Sequence, residues 1–170
     1  MLQNMSKQKE YYIEMKTNNI KGFTLLGIIF GLVGFLMIFF PAMAFSNSDS
    51  SFLGYEIAFG TEFVNLGSWA SGQIVPNILS MLAYILPLAA IVALLLAKKA
   101  TVFSIILFSV GLVLLFLMPL YTVTTVSVLG TTNEINVDWV MSFGLIIAIV
   151  ASVGGLLTGI VKIIFESSKQ

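Results

Sequence analysis

The stretch PNILSMLAYILPLAAIVALLLAKKATVFSIILFSVGLVLLFLMPLY, residues 76–121, decides the fold. It consists of two uncharged apolar runs, 76–97 and 100–121, separated only by Lys98 and Lys99. A transmembrane helix needs about 20 apolar residues to cross the hydrocarbon core of a bilayer, and each run has that length. Because the link between the runs is so short, we predict two membrane-spanning helices that pack side by side and antiparallel.

Two further apolar runs flank this pair, 22–45 before it and 139–161 after it. The sequence therefore predicts an all-α membrane protein, a bundle of four transmembrane helices. A chain of 170 residues that is 58% hydrophobic and 9% charged does not have the composition of a soluble domain. Ala42-Met43-Ala44 resembles a signal-peptidase site, but the apolar stretch before it exceeds the roughly 7 to 15 residues of a signal peptide. An uncleaved membrane anchor is the favoured interpretation.

The charged residues predict the orientation of the bundle. All lysines lie in the N-terminal segment 1–21, in the link between the second and third runs, or in the C-terminal tail 162–170. Basic residues mark the cytoplasmic side of a membrane protein, so we predict that both termini are cytoplasmic. The connections 46–75 and 122–138 contain acidic residues but no lysine or arginine, and are predicted to be outer loops. We expect a multi-pass protein of the plasma membrane.

Both outer loops carry the patterns of β-strands. Residues 121–129 are rich in Val and Thr and are followed by a turn-forming segment, 130–133, and a second short run, 135–137. In the first loop, Tyr55–Phe59 alternates between larger apolar residues and smaller or acidic ones. Since an isolated hairpin is marginally stable in water, we predict that the two loops pair in one small extracellular antiparallel β-sheet.

Small residues recur at four-residue intervals in three of the predicted helices. Such rows let two helix backbones approach closely, which favours packing in lipid. We interpret them as contacts within one bundle rather than as a dimer interface, because glycine rows are common in transmembrane helices. The candidate packing residues are Gly27, Gly31, Ala89, Ala93, Ala151, Gly155 and Gly159, and Ala97 extends the second row.

Asn77, Ser80 and Tyr84 form a polar stripe on one face of the second helix. Polar groups within hydrocarbon need partners, so the stripe is predicted to face the bundle. There it either bonds to neighbouring helices or lines a small cavity near Pro87. Bonding between helices is the favoured interpretation, because such bonds occur throughout membrane bundles. The other interpretation makes the stripe the polar lining of a carrier.

The residue types that are missing argue against several functions. No Asp, Glu, Lys or Arg lies inside the four predicted spans, which argues against proton-coupled transport and voltage sensing. His, Cys and Arg are absent, and five of the eight carboxylates are predicted on the opposite side of the membrane from the lysines. We therefore predict no enzymatic activity, no catalytic residues, no cofactor and no metal site. The lack of a basic groove argues against nucleic acid as a partner.

The predicted layout resembles the claudin-type four-span membrane proteins. The resemblance lies in four spans with both ends inside, a longer first and a shorter second outer loop, and strand patterns in both loops. Asn65-Leu66-Gly67-Ser68-Trp69 is similar to the Gly-Leu-Trp-type element of that family, without its two cysteines. The resemblance implies an outer sheet that is completed by a strand from the second loop. The chain is also similar to small uncharacterised four-span proteins of low-G+C bacteria.

These features together predict a non-enzymatic membrane protein, a structural, scaffold or accessory subunit. Its expected partners are the lipid bilayer and either another membrane protein or a second copy of the chain. The alternative is a carrier or channel for a neutral or lipophilic small molecule. A cavity beside the polar stripe would favour the carrier, and a closely packed bundle would favour the scaffold.

Overall fold

The computed structural model describes residues 2–47, 50–96 and 100–167, with side chains described from residue 18 onwards. Within these residues, four helices are long and apolar enough to cross a membrane, as predicted. In chain order the elements are α1 (Leu2–Leu36), a 3₁₀ turn (Met37–Phe39), β1 (Pro41–Phe45), β2 (Ser51–Leu53), α2 (Gly54–Phe59), β3 (Thr61–Asn65), β4 (Ala70–Ile74), α3 (Ile78–Leu96), α4 (Ala100–Tyr121), β5 (Thr124–Val128), β6 (Thr131–Ile135), β7 (Trp139–Met141) and α5 (Phe143–Ser167).

The four long helices form a closed ring in the order α1, α3, α4, α5. Each helix packs against the next, and α5 closes the ring against α1. All strands attach at one end of the ring, which we call the sheet end. The opposite end, where α3 finishes and α4 begins, is called the lysine end because the predicted cytoplasmic lysines flank it.

The helix limits differ from the predicted runs at both ends. At the lysine end, α1 begins at Leu2 and α5 continues to Ser167, and at the sheet end α1 finishes earlier and α5 begins later than predicted. Helix α4 has the predicted limits, but α1 finishes at Leu36 instead of continuing to residue 45. Pro41 lacks a backbone N–H, and the apolar residues after it form β1, which satisfies its polar backbone by pairing with β2 and β7. Likewise Trp139–Met141, predicted to begin the last span, forms β7 before the helix starts at Phe143.

The strands form two antiparallel sheets instead of the single predicted one. The first has the order β2-β1-β7, and the second has the order β3-β4-β5-β6. The second sheet combines strands from both predicted loops through the pair β4–β5, whereas the β1–β7 pair of the first sheet comes from residues predicted to lie in the first and last spans. The prediction that the two loops pair with each other is therefore confirmed.

The prediction of a strand at Tyr55–Phe59 is wrong, because these residues belong to the short helix α2. Gly54, Ile57 and Ala58 are the buried residues of this segment, and their spacing is helical. At the start of the helix, the backbone N–H of Leu53 donates a 2.8 Å hydrogen bond to Oε2 of Glu56. At its end, Gly60 has φ 81°, a conformation that favours glycine.

Four aromatic side chains join the two sheets into one body. Phe45, Phe52 and Trp139 come from the first sheet, and Phe63 comes from the second. The ring centroids of Phe45 and Trp139 are 4.8 Å apart, and those of Phe45 and Phe63 are 5.3 Å apart. Below them, the main core continues into the bundle through residues such as Tyr84. The sheets are thus packed onto the helices by a continuous apolar core.

Candidate functional site

The first glycine row packs α1 against α3 within the chain. A Cβ atom at Gly27 would lie 2.6 Å from Cδ1 of Leu94, and one at Gly31 would lie 2.5 Å from Cγ1 of Ile91. The same Cβ at Gly31 would lie 2.8 Å from the carbonyl oxygen of Pro87. These distances leave no room for a side chain at either glycine.

The glycine row of α5 packs this helix against α4 in the same way. A Cβ atom at Gly155 would lie 2.5 Å from Cζ of Phe108, and one at Gly159 would lie 2.8 Å from Cγ1 of Ile105. Both glycine rows therefore contact helices of the same chain. This is the arrangement that a packing role within one bundle requires.

The three candidate alanines occupy less uniform positions. Ala93 and Ala151 are buried, whereas Ala89 is only partly buried. The side chain of Ala151 approaches Gly34 of α1, where a Cβ atom would lie 3.9 Å from that of Ala151. Ala97 lies outside the described residues.

The polar stripe lies in the packed part of the bundle near the sheet end. Nδ2 of Asn77 donates to the carbonyl oxygen of Tyr121 at 2.9 Å, and Oδ1 of Asn77 accepts from the backbone N–H of Leu79 at 2.9 Å. Asn77 thus joins the start of α3 to the end of α4. Ser80 and Tyr84 are fully buried, and Tyr84 belongs to the main apolar core. Its hydroxyl makes no hydrogen bond within the described part of the chain.

The surroundings of Pro87 are filled by neighbouring helices. A Cβ atom at Gly34 of α1 would lie 3.5 Å from Cβ of Pro87, and one at Gly111 of α4 would lie 3.3 Å from its Cδ. The ring of Tyr84 approaches Gly54 of α2, where a Cβ atom would lie 2.9 Å from its Cζ. The stripe therefore contacts protein atoms on several sides, and the cavity described below lies at the other end of the bundle.

A cluster of exposed apolar side chains at the sheet end had no counterpart in the predicted site residues. The β3–β4 and β5–β6 turns lie side by side, and the backbone N–H of Leu129 donates to the carbonyl oxygen of Trp69 at 2.9 Å. The hairpin tip, as we call this cluster, consists of Leu66, Trp69, Val128 and Leu129, which are 65%, 70%, 51% and 70% exposed. The pairing of β4 with β5 brings the two turns together.

Leu129 has a backbone conformation that leucine seldom adopts. Val128 pairs with Thr131, so Leu129 and Gly130 form a two-residue turn, with φ values of 50° and 84°. Such turns favour Asn-Gly because both positions need positive φ. Leucine in this region costs about 1 kcal/mol, and the exposed side chain recovers little of that cost through packing. A strained residue that is also exposed and apolar is a reasonable indicator of function.

Lys162 is the second feature that the sequence did not indicate. It was predicted to begin the cytoplasmic tail, but α5 continues to Ser167 and Lys162 is buried within it, 5% exposed. Its Nζ donates to the carbonyl oxygen of Leu94 at 3.0 Å. The lysine lies one position beyond the predicted span, so the window that defined the span did not include it.

The chemistry available at the hairpin tip is apolar contact and backbone hydrogen bonding. Among the described residues, no group of three or more His, Cys, Asp or Glu side chains could hold a metal ion. Tryptophan is enriched among the side chains that dominate the binding energy of protein interfaces, so Trp69 is the member of the tip best suited to such a contact.

Comparisons of the chain with protein-family models, with curated protein sequences and with solved structures give no match.

Proposed function

We propose that this protein is a non-enzymatic membrane protein that binds a partner membrane protein through the hairpin tip, as a scaffold or accessory subunit. The observation that carries the proposal is the exposure of Trp69 and Leu129 on adjacent turns. Leu129 also has a strained backbone conformation. Burying an exposed leucine-sized side chain contributes roughly 1.5–3 kcal/mol, so a partner that covers these two residues gains a substantial part of its binding free energy there.

The tip is formed where β4 begins and β5 ends, at the strand ends that are farther along the chain from α3 and α4. Thr124 follows the end of α4 by three residues, and β5 then runs five residues to Val128. A strand of that length extends about 16 Å, and the tip is at the end of β5 that is farther along the chain from α4. The lysine pattern predicts that this end faces outside. The partner surface is therefore the outer part of another membrane protein or of a second copy of the chain.

The packing of the bundle supports binding over transport. A carrier would need a passage beside Asn77, Ser80 and Tyr84. The last two are fully buried, and the glycines around Pro87 bring α1 and α4 close to α3. In liposomes we therefore expect no saturable flux of neutral solutes above the lipid background. A saturable flux that is lost in the Asn77→Ala variant would contradict the proposed function and support a carrier.

Site-specific photo-crosslinking in native membranes tests the proposal. A photoreactive amino acid at the exposed Ser68, between Leu66 and Trp69, should give a discrete crosslinked protein band. The Leu129→Asn substitution should lower its yield about tenfold, as expected for a central apolar contact. Two differently tagged copies of the chain, expressed together, show whether the crosslinked partner is a second copy.

Ile135→Asn provides the matched control. Ile135 is 40% exposed and pairs with Thr124 at the other end of the same sheet. Ile135→Asn also replaces an exposed aliphatic side chain with asparagine, but outside the hairpin tip. The crosslinking yield of this variant should therefore equal that of the parent. Crosslinking to lipid alone, or equal loss in both variants, would contradict a partner site at the hairpin tip.

A further inference from the structure

Lys162 places a buried positive charge at the lysine end of the bundle. Its ammonium donates one hydrogen bond to Leu94, in the last turn of α3, where carbonyl oxygens lack helical partners. An ammonium has three N–H donors, so this bond leaves capacity for another acceptor. A buried lysine inside a candidate membrane helix is expensive and is commonly functional.

A cavity of about 430 Å³ adjoins this lysine, between α1, α3 and α5. Its charged lining residues are Lys21, Lys162 and Glu166, which give two positive charges and one negative, a net charge of +1. Oε2 of Glu166 lies 3.5 Å from Oγ1 of Thr101 on α4, and the same carboxylate also interacts with the charge of Lys162, one helical turn before it on α5. Each of the three helices contributes to the lining, so the cavity is part of the fold.

The rest of the lining is mainly apolar and opens to the side of the bundle. Leu25 of α1 and Leu95 of α3 line the cavity and are 60% and 63% exposed. Side chains that line a cavity and are also this exposed lie at its opening. The cavity is therefore accessible from the surface that α1 and α3 present to lipid in a membrane.

The two lysines lie at a similar depth. Gly27 of α1 lies against Leu94 of α3 and Thr158 of α5, so these three residues are at a similar depth along the bundle axis. Lys162 is four residues beyond Thr158, and Lys21 is six residues before Gly27, so they lie about 6 Å and 9 Å nearer the lysine end. Two lysines on neighbouring helices whose backbone positions differ by about 3 Å in depth, above an apolar opening, match a phosphate with an acyl chain below it.

We infer that an anionic phospholipid binds in this cavity, from the leaflet at the lysine end. Its phosphate lies between Lys21 and Lys162, and one acyl chain lies along Leu25 and Leu95. A free phosphate would use the lysines but not the apolar lining, and a zwitterionic lipid would gain less from the net positive charge. This site is separate from the hairpin tip and does not depend on the proposed function.

Native mass spectrometry of the full chain in mild detergent tests the inference. Palmitoyl-oleoyl phosphatidylglycerol should remain bound as one molecule per chain, with a clear preference over phosphatidylcholine that carries the same acyl chains. Lys21→Gln, at an exposed residue, should reduce that preference about fivefold, the effect of one lysine near a lipid surface. Lys162→Met should reduce it further, because it removes the buried charge.

Two other variants keep the inference testable if Lys162→Met fails to fold. Thr24→Leu adds volume in the lining without changing charge and should reduce retention of phosphatidylglycerol. Lys9→Gln is the control, because Lys9 lies twelve residues before Lys21 on the same helix, about 18 Å along its axis. The preference of the Lys9→Gln variant for phosphatidylglycerol over phosphatidylcholine should equal that of the parent.

Three results would each overturn the inference. The first is equal retention of phosphatidylglycerol and phosphatidylcholine by the parent. The second is a preference that survives both Lys21→Gln and Thr24→Leu. The third is displacement of the lipid by glycerol 3-phosphate at equal concentration, which would show that the site recognises the headgroup without the acyl chain.

Discussion

The interior of the helix bundle and the hairpin tip place apolar side chains in opposite environments. In the interior, Tyr84 and Phe108 are fully buried, and glycines such as Gly155 leave no space beside them. At the tip, Trp69 and Leu129 are each 70% exposed, and Leu129 has a strained backbone.

This difference separates residues that stabilise the fold from residues that do not. A side chain in the interior contributes through close packing, so changing it lowers stability. A side chain at the tip contributes little to stability, so changing it should mainly affect binding.

The largest effect is expected at Tyr84. Tyr84→Ala removes a fully buried ring from the main core and should lower the free energy of unfolding by about 3 kcal/mol. Tyr84→Phe is the matched control, because the hydroxyl makes no hydrogen bond within the described residues, so its removal should be neutral or stabilising. Thermal unfolding in detergent measures both. A large loss in Tyr84→Phe would show that the hydroxyl has a partner.

A smaller but clear loss is expected at Gly155. Gly155→Leu forces a side chain into the ring of Phe108 and should destabilise the protein by roughly 1–3 kcal/mol. Gly22→Leu makes the same change on α1 at a position where a Cβ atom would meet nothing within 4 Å. The same thermal assay should find it close to the parent. If Gly155→Leu also matches the parent, α4 and α5 do not pack as described.

These packing positions also show how far the sequence could predict the molecule. Hydropathy was sufficient to predict the four long helices. The predicted glycine rows lie against neighbouring helices, whereas Ala89 of the alanine row is only partly buried. The structure of the sheet end was harder to predict from the sequence. The segments 41–45 and 139–141 are as apolar as the helices they adjoin, and hydropathy does not distinguish a buried strand from a helix. Pro41 was the local signal that could have ended the first helix.

The hairpin tip and Lys162 could not be predicted for a different reason. Leu129 and Trp69 are 60 residues apart in sequence, and only the pairing of β4 with β5 makes them neighbours. The Leu129-Gly130 turn lacks the usual Asn-Gly pattern, so its sequence does not indicate positive φ at position 129. The apolar residues 163–165 after Lys162 indicate that the helix continues past it, but the burial of Lys162 depends on Leu94 of α3 and on α1, which no local pattern contains.

Of the three sites Tyr84, Gly155 and Leu129, the smallest change in stability is expected at Leu129, where the substitution to Asn should increase it. Leu129→Asn should raise the free energy of unfolding by about 0.5–1 kcal/mol, because asparagine tolerates positive φ better than leucine. Leu129→Ala keeps the strain while removing the apolar side chain, so its stability should stay near that of the parent. Thermal unfolding of the two variants side by side provides the measurement. A loss of stability in Leu129→Asn would mean that the leucine side chain stabilises the fold, contrary to the proposed binding role.

The central claim is that the chain crosses the membrane with the hairpin tip outside and the lysine end inside. Because the chain has no cysteine, single-cysteine variants at the exposed Ser68 and Ser167 give a direct measurement. In intact cells, an impermeant maleimide should label Ser68→Cys at once and Ser167→Cys only after the membrane is opened. Labelling of Ser167→Cys in intact cells, with Ser68→Cys protected, would contradict the orientation and with it the proposed partner surface.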